Sequence, residues 1–243
     1  MKLYFSGIAG RREFEMLETA GVKHLLADQF DLRHVGAGRA HVALDSGAYR
    51  ASKKGLSLNL QEYLSFARKN GPFDFAVALD KIGDPESSRE NWESLRRLKS
   101  TDDPPFIPVF QWGGEEDDLK RYLDEAAVVG IGGLVTLMRD KDMKMLDQLG
   151  CVCSIYPNRF HIFGINFLEA IQTLKSLVVS GDTSKWLDGG RYAHLIFKNT
   201  RTGRLSQAPV KALKLDLNRE ERCIESALNL EDFIADNGGI AHA

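Results

Sequence analysis

The stretch Val178-Val179-Ser180-Gly181-Asp182-Thr183-Ser184-Lys185-Trp186 decides the fold that we expect from the sequence. It begins as a β-branched run, a composition typical of a buried strand. The run breaks at Gly181 and then delivers a carboxylate, hydroxyls, a cation and an indole. Barrel and open-sheet α/β enzymes carry their chemistry on such strand ends. A second interpretation stays open, in which Asp182 caps a following helix through its side-chain oxygen.

The same pattern, an apolar run that ends in a polar residue or glycine, recurs along the chain. Asp45, Asp80 and Gln111 each follow such a run. Helical patterns separate the runs, and this alternation predicts βα units and a parallel sheet. Eight or nine strands in this order favour an α/β fold, a single (β/α)8 TIM-like barrel. The candidate strands span residues 3–8, 24–27, 40–44, 73–79, 106–110, 128–131, 159–163, 178–180 and 193–197.

The segments between the strands give the expected helices and loops. Asn59 and Asp84 are predicted to cap helices, the second with Pro85 in its first turn. Residues 50–58 are basic and contain glycine, which predicts a loop over the sheet edge. Further helices are expected over residues 11–20, 115–126, 140–149, 167–174 and 220–235.

The composition is that of an ordinary globular protein. The chain has 243 residues, of which 43% are hydrophobic and 27% charged, with no repeat or linker, so we expect one domain over residues 1–243. The net charge of −2 supplies no overall basic character, although a local basic face stays compatible with it. No apolar run approaches a membrane span, and residues 1–7 do not form a signal peptide. We therefore expect a cytoplasmic protein without a membrane partner.

The cysteines bear on redox compartment and metal binding. Cys151, Cys153 and Cys223 lack the spacing of a disulfide framework, which indicates a reducing compartment. Cys151 and Cys153 would begin a metal site only with further ligands, of which His161 is the nearest. A structural Zn²⁺ usually needs four ligands. We therefore expect no metal and no cofactor.

In a barrel, the carboxyl ends of all strands meet on one face. Each candidate residue there also has a purely structural interpretation, as a turn residue, a cap relay, a loop hydrogen bond or a tight turn. Their arrival on one face by chance is much less expected. The set comprises Asp45, Asp80, Gln111, Gly132, Gly133 and Asp182.

Three carboxylates and an amide around a pocket do not suit a phosphate, because like charges repel. They suit a ligand with several N–H donors, such as the edge of a purine. The amide and backbone N–H groups would then donate to the carbonyl oxygen of the purine. The glycines let the backbone approach. A remaining carboxylate would attack or stabilise an anomeric carbon, as paired carboxylates do in glycosidic-bond chemistry. Tyr49 or Trp112 would stack on the base.

Five segments of the chain resemble the motifs of tRNA-guanine transglycosylases. Leu44-Asp45-Ser46-Gly47-Ala48-Tyr49 resembles their Asp-Ser-Gly-Gly-Phe motif, and Val109-Phe110-Gln111-Trp112-Gly113-Gly114 resembles their Val-Gln-Gly segment. Gly130-Ile131-Gly132-Gly133-Leu134 is similar to their Gly-Gly-Leu segment, and His161-Ile162-Phe163-Gly164-Ile165 to their His-Tyr-Leu-Met-Gly-Val stretch. Val179-Ser180-Gly181-Asp182-Thr183-Ser184 occupies the place of their nucleophilic aspartate. Order and spacing agree over roughly residues 40–190.

The resemblance implies a (β/α)8 barrel that exchanges guanine for a 7-deazaguanine base in a polynucleotide. Asp182 would be the nucleophile that forms a covalent glycosyl–enzyme intermediate, and Asp45 the general acid/base. Asp80 and Gln111 would bind the base edge, with backbone help from Gly132-Gly133.

Two departures from the family pattern bear on the polymer. The tRNA enzymes carry a Cys-x-Cys-x-x-Cys…His zinc site after the nucleophile, whereas Cys151 and Cys153 precede Asp182 here. Thr-Ser-Lys-Trp follows Asp182 in place of Val-Leu-Pro-Thr-Arg. The chain therefore resembles the compact DpdA-type members, which put 7-deazaguanines into DNA in bacterial or phage-infected cells. Phosphate contacts would come from basic residues that follow Asp182, namely Lys185, Arg191, Lys198, Arg201 and Arg204.

Other functions stay open at this point. In one alternative the polymer is tRNA instead of DNA. In another, water instead of a base reacts with the covalent intermediate, and the protein is an N-glycoside hydrolase. A non-catalytic base-binding protein and an unrelated barrel with acidic strand ends are further alternatives. The sequence leaves open whether the chain acts as a homodimer or with a partner subunit.

Overall fold

The computed structural model describes residues 1–35 and 41–236. Its main sheet is parallel throughout and contains nine strand segments within these ranges. They are β1 (Lys2–Phe5), β2 (His24–Ala27), β3 (Val42–Leu44), β4 (Ala76–Val77), β5 (Phe106–Ile107), β6 (Val109–Gln111), β7 (Val129–Gly132), β8 (Phe160–Ile162) and β9 (Ser180–Thr183). Ala40, with which we began one predicted strand, lies outside the described residues.

The sheet closes at Pro108. The strand order is β5-β4-β3-β2-β1-β9-β8-β7-β6, so its two end segments are separated in the chain by Pro108 alone. On one side the Ile107 carbonyl accepts from the Ala78 N–H at 2.9 Å, and on the other the Pro108 carbonyl accepts from the Gly130 N–H at 2.8 Å. Proline has no N–H to donate to a ladder, which explains why this strand is split. The result confirms the predicted TIM-like (β/α) barrel.

Ten helices connect or cover these strands in the described ranges. The predicted caps are confirmed: Asn59 accepts from the N–H groups of Gln61 and Glu62, and Asp84 accepts from that of Ser87. The helices are α1 (Arg11–Thr19), α2 (Ala48–Lys54), α3 (Leu60–Asn70), α4 (Pro85–Leu98), α5 (Glu116–Glu125), α6 (Val135–Asp140), α7 (Met143–Ile155), α8 (Leu168–Leu174), α9 (Asp188–Tyr192) and α10 (Arg219–Ala235).

Alternation along the strands sorts the core into two layers. Leu3, Phe5 and Leu25 belong to the large cluster that the helices cover. Tyr4 and Leu26 belong to a small separate cluster inside the barrel. The barrel interior becomes polar toward the carboxyl ends of the strands, and this change positions the site.

Three local predictions were wrong. Residues 50–58 are not all loop, because Ala48 and Ala51 bury one face of α2 while Lys53 and Lys54 stay exposed. Residues 140–149 do not form one helix, because Lys141 at φ 53° separates α6 from α7. Residues 193–197 do not join the barrel.

The segment after the barrel forms a separate hairpin and a closing helix. β10 (His194–Lys198) pairs antiparallel with β11 (Leu205–Pro209), and the basic segment between them is their turn. Helix α10 packs against β10, α9, α1 and β1. It begins with a capping box in which Asn218 and Glu221 exchange hydrogen bonds with each other's backbone N–H groups.

None of the helices in the described ranges combines the length and apolar character that a membrane span requires.

Trp186, the last residue of the stretch 178–186, connects the segment after β9 to the end of β1. Its side chain is fully buried, and its Nε1–H donates to the Ser6 carbonyl at 2.9 Å. We expect Trp186→Phe to lower the free energy of unfolding by about 2–3 kcal/mol, because it removes packed volume and leaves a partly buried carbonyl without its donor. Urea unfolding at fixed pH measures this, with Tyr192→Phe, at an exposed position on α9, as a control expected within about 0.5 kcal/mol of wild type. If Trp186→Phe unfolded at the same urea concentration as wild type, the stabilising role of Trp186 would be contradicted.

Candidate active site at the barrel mouth

The carboxyl ends of the strands surround a cavity of about 710 Å³. The structure brings eight sequence-predicted residues to its lining, namely Asp45, Tyr49, Asp80, Gln111, Gly132, Gly133, Asp182 and Arg191. A second cavity of about 350 Å³, beside α3, is lined by none of them.

Asp182 lies in β9 and is 5% exposed. Its Oδ1 accepts from the Gly164 N–H at 2.7 Å, and no hydrogen bond from residues 1–35 or 41–236 reaches its Oδ2. One oxygen is therefore fixed while the other stays available. The capping interpretation is wrong, because the short 3-10 turn at Lys185–Leu187 begins after Ser184 and has no side-chain cap.

Gly181 allows the backbone to hold Asp182 in this way. A Cβ at Gly181 would come within 2.4 Å of the Ile165 Cδ1 and 3.0 Å of the Ile162 carbonyl. The Ile165 N–H in turn donates to the Asp182 carbonyl at 2.7 Å. Close packing of the segment after β8 against β9 therefore requires glycine at this position.

Asp80 is held by two neutral donors. The Ser46 hydroxyl donates to its Oδ1 at 2.8 Å, and the Gln111 Nε2 donates to its Oδ2 at 3.3 Å. Burial raises the pKa of Asp80, and these hydrogen bonds oppose the rise. Side chains at Gly132 or Gly133 would come within 3.3 Å of the Gln111 amide, so the glycines leave room for it.

Asp45 lies next to the other carboxylates of the cavity. Burial, together with the charges of Asp80, Asp182 and Asp28, raises its pKa to about 7, and a hydrogen bond from the Gly47 backbone N–H opposes this rise. A carboxyl group with this pKa exists in both protonation states near neutral pH, which suits a general acid/base.

Asp28 and Arg50 form a neighbouring pair that our sequence analysis missed. The Arg50 Nε lies 2.8 Å from the Asp28 Oδ2, and its Nη2 lies 2.5 Å from the Asp31 Oδ2. All three residues line the cavity. Asp28 directly follows the strand predicted at residues 24–27, so the pattern that indicated Asp45 and Asp80 also applies to it.

His161 has a contact with Asp182 that our sequence analysis did not predict. It is fully buried inside the barrel, with its Nε2 3.8 Å from the Asp182 Oδ1 and its Nδ1 2.8 Å from the Ser180 Oγ. Nε2 has no hydrogen-bond partner among the described residues. A proton on Nε2 directs an N–H at the carboxylate, whereas the other tautomer would place a lone pair against it. Cys151 and Cys153 lie on α7, and neither belongs to a group of three metal-ligating side chains with His161 among the described residues.

The predicted phosphate contacts separate in the structure. Arg191 is exposed on the cavity lining, and Tyr49 is 58% exposed there. Lys185 instead pairs with Asp188 at 2.6 Å. The other three cations lie on the hairpin: Lys198 pairs with Asp236, Arg204 donates to Gln172 on α8, and Arg201 lies in the turn. None of these four lines the cavity, and neither does Trp112.

The raised pKa of Asp45 predicts a pH-dependent stability. Between the pKa of an unfolded Asp, near 4, and about 7 in the folded state, the folded protein keeps a proton that the unfolded chain releases. Wild-type stability should therefore fall as pH rises through this window, whereas Asp45→Asn cannot ionise there. We expect Asp45→Asn to gain about 2 kcal/mol over wild type between pH 4 and pH 8, less than full burial would give because Asp45 is half-buried. Urea unfolding across this pH range tests it, and a constant difference between the two proteins would contradict it.

No model of a known protein family matches the chain, and no curated protein matches it.

Proposed function

We propose that the protein is a base-exchange transglycosylase that replaces guanine with a 7-deazaguanine base in DNA. One observation carries the proposal: Asp182 presents a free oxygen, beside a titratable Asp45, to a cavity that also contains base-edge acceptors and donors. This is the set that glycosidic-bond exchange through a covalent intermediate requires.

Base binding is assigned to Asp80 and Gln111. The Asp80 oxygens already accept from two donors, which leaves lone pairs for the ring N–H and exocyclic amine of a guanine edge. The backbone at Gly132-Gly133 lies open to the cavity and suits the base carbonyl. A neutral base enters this acidic cavity, whereas a phosphate would be repelled.

The chemistry proceeds in two displacements. The free Asp182 oxygen attacks C1′, the C1′–N9 bond breaks, and the protonated Asp45 gives its proton to the departing guanine. The 7-deazaguanine then binds in its place and gives its N9 proton to Asp45. Its N9 attacks C1′, and the Asp182 carboxylate leaves. The enzyme returns to its starting state, and each step conserves protons and charge.

The polymer remains at the rim while one nucleotide enters. An unpaired or flipped nucleotide fits a cavity of about 710 Å³, whereas a duplex does not. Arg191 and Tyr49 line the cavity and are exposed. In this proposal Arg191 contacts a phosphate and Tyr49 stacks on a base at the rim. DNA rather than tRNA follows from the resemblance to the compact DpdA-type members.

Release of radiolabelled guanine tests the reaction. We expect release from DNA that depends on added 7-deazaguanine, and none from unmodified tRNA. Release without an added base would indicate hydrolysis. Release only from tRNA would overturn the choice of polymer, and tight guanine binding without release would indicate a non-catalytic base-binding protein.

Asp182→Asn tests the nucleophile with little change in shape, since the amide oxygen still accepts from the Gly164 N–H. We expect exchange to fall by at least roughly 10³-fold and the covalent DNA adduct on a denaturing gel to disappear. Asp147→Asn, at an exposed position on α7, should exchange at the wild-type rate. Normal exchange in Asp182→Asn would overturn the mechanism.

His161 should act as a positioning residue for Asp182. We expect His161→Asn, whose amide reaches only the Ser180 side, to lower kcat by about 10- to 100-fold with KM unchanged. His161→Gln, whose amide reaches toward Asp182, should recover part of kcat. Equal losses in both variants, or a rise in KM alone, would indicate a packing role only. Unfolding midpoints of both variants control for a loss of fold.

A further inference from the structure

We propose that His24, His41 and Asp74 bind a divalent transition-metal ion, for which Zn²⁺ is the best chemical fit, at the amino-terminal end of the barrel. The site lies at the end opposite the cavity, because His24 begins β2, His41 precedes β3 and Asp74 precedes β4. It does not depend on the proposed function.

The three side chains converge from separate segments. One ligand atom of each lies within 4.8 Å of the others. The two imidazole centroids are 4.9 Å apart with the rings tilted by 39°, and the His41 Nδ1 lies 3.3 Å from the Asp74 Oδ1. Tetrahedral zinc with N and O ligands separates its donors by about 3.4 Å, so an inward shift of about 1 Å would bring the three side chains to ligand distance. A water molecule would take the fourth position.

The backbone fixes these positions before any metal binds. The Leu25 N–H donates to the His41 carbonyl at 3.0 Å, and the Asp74 N–H donates to the Val42 carbonyl at 2.8 Å. His41 adopts φ 64°, a left-handed conformation that is uncommon outside glycine. Such a conformation, held by the sheet, is consistent with a side chain aimed for binding.

Tyr4 supplies the outer hydrogen bond that metal-bound carboxylates usually have. Its hydroxyl donates to the Asp74 Oδ2 at 2.7 Å, which leaves Oδ1 on the side of His41. Its ring also meets the His24 ring edge-on at 5.2 Å. One residue inside the barrel therefore orients two of the three ligands.

The surroundings indicate a structural role. Tyr4, Phe75 and His161 are in edge-on ring contact and lie between this site and the cavity. Two imidazoles and one carboxylate suit Zn²⁺ and related ions better than Ca²⁺ or Mg²⁺, which prefer oxygen ligands. Lys2 and Lys23 lie close enough to act on His24, so the affinity should be moderate. A bound ion would link β2, β3 and the start of β4.

Zinc titration of the full chain tests the site. The Cys151→Ser background removes the exposed thiol as a competing ligand. We expect calorimetry with ZnCl₂ to give one equivalent per chain, and a zinc concentration about a hundredfold above Kd to raise the unfolding midpoint by about 5–10 °C. Co²⁺ in place of Zn²⁺ should give the visible absorption of a four-coordinate nitrogen and oxygen site.

The matched variant is His41→Gly, because glycine adopts this backbone conformation without strain and the His41 side chain is 52% exposed. We expect it to lose at least tenfold in zinc affinity and to lose the midpoint shift. His34→Ala, outside the cluster, should bind as the parent does. Less than half an equivalent bound to the parent, or equal binding by the parent and His41→Gly, would overturn the proposal.

Discussion

Closure of the sheet at Pro108 is the constraint on which the rest of the structure depends. Because β5 and β6 are the two ends of the strand order and are joined through Pro108, the sheet curves into a barrel and all carboxyl ends point to one mouth. Residues as distant in the chain as Asp45 and Asp182 then act on each other electrostatically. An open sheet with the same strands would not surround a single cavity. The strand topology therefore brings the site residues together, and their side chains then determine the chemistry of the site.

Several carboxylates lie at the barrel mouth, and each has different hydrogen-bond or ion-pair partners. Asp28 has Arg50, Asp80 has the Ser46 and Gln111 donors, and Asp182 has the Gly164 N–H. Asp45 has the Gly47 backbone donor, and its burial beside the other three carboxylates raises its pKa. Burial of an uncompensated carboxyl group destabilises the folded state, and such groups concentrate at functional sites. The unequal compensation separates the proposed acid/base from the proposed nucleophile and base-binding groups.

The sequence was informative where one local rule decided the structure. Strand ends at Asp45, Asp80, Gln111 and Asp182 were predictable because buried parallel strands are apolar and their ends are polar. The caps at Asn59 and Asp84 were predictable from the residue types alone. The helical structure of the basic segment in α2 was not predictable from its charge, because burial of two small alanines determines it. The hairpin after β9 was not, because its strands have the same apolar composition as a barrel strand.

Clusters of residues that are distant in the chain could not be predicted from local sequence patterns. His24, His41 and Asp74 have no ligand spacing in sequence and meet only because their strands are adjacent. His161 was visible as part of a motif, but its distance from Asp182 depends on the pairing of β8 with β9. Recognition of either set from sequence would require the strand order, which periodicity alone does not supply.

The short ladder between β3 and β4 has a dynamic consequence. Around the barrel, β1 and β9 are in register over four residues, from Lys2 to Phe5, whereas β3 and β4 are in register at Leu44 and Ala76 alone. Short ladders open at lower free energy than long ones. Amides of β4 and β5 should therefore exchange hydrogen sooner than those of β1 and β9. Asp80 follows β4, so transient opening of this ladder would widen the mouth beside Asp80, while the Asp182 side stays anchored.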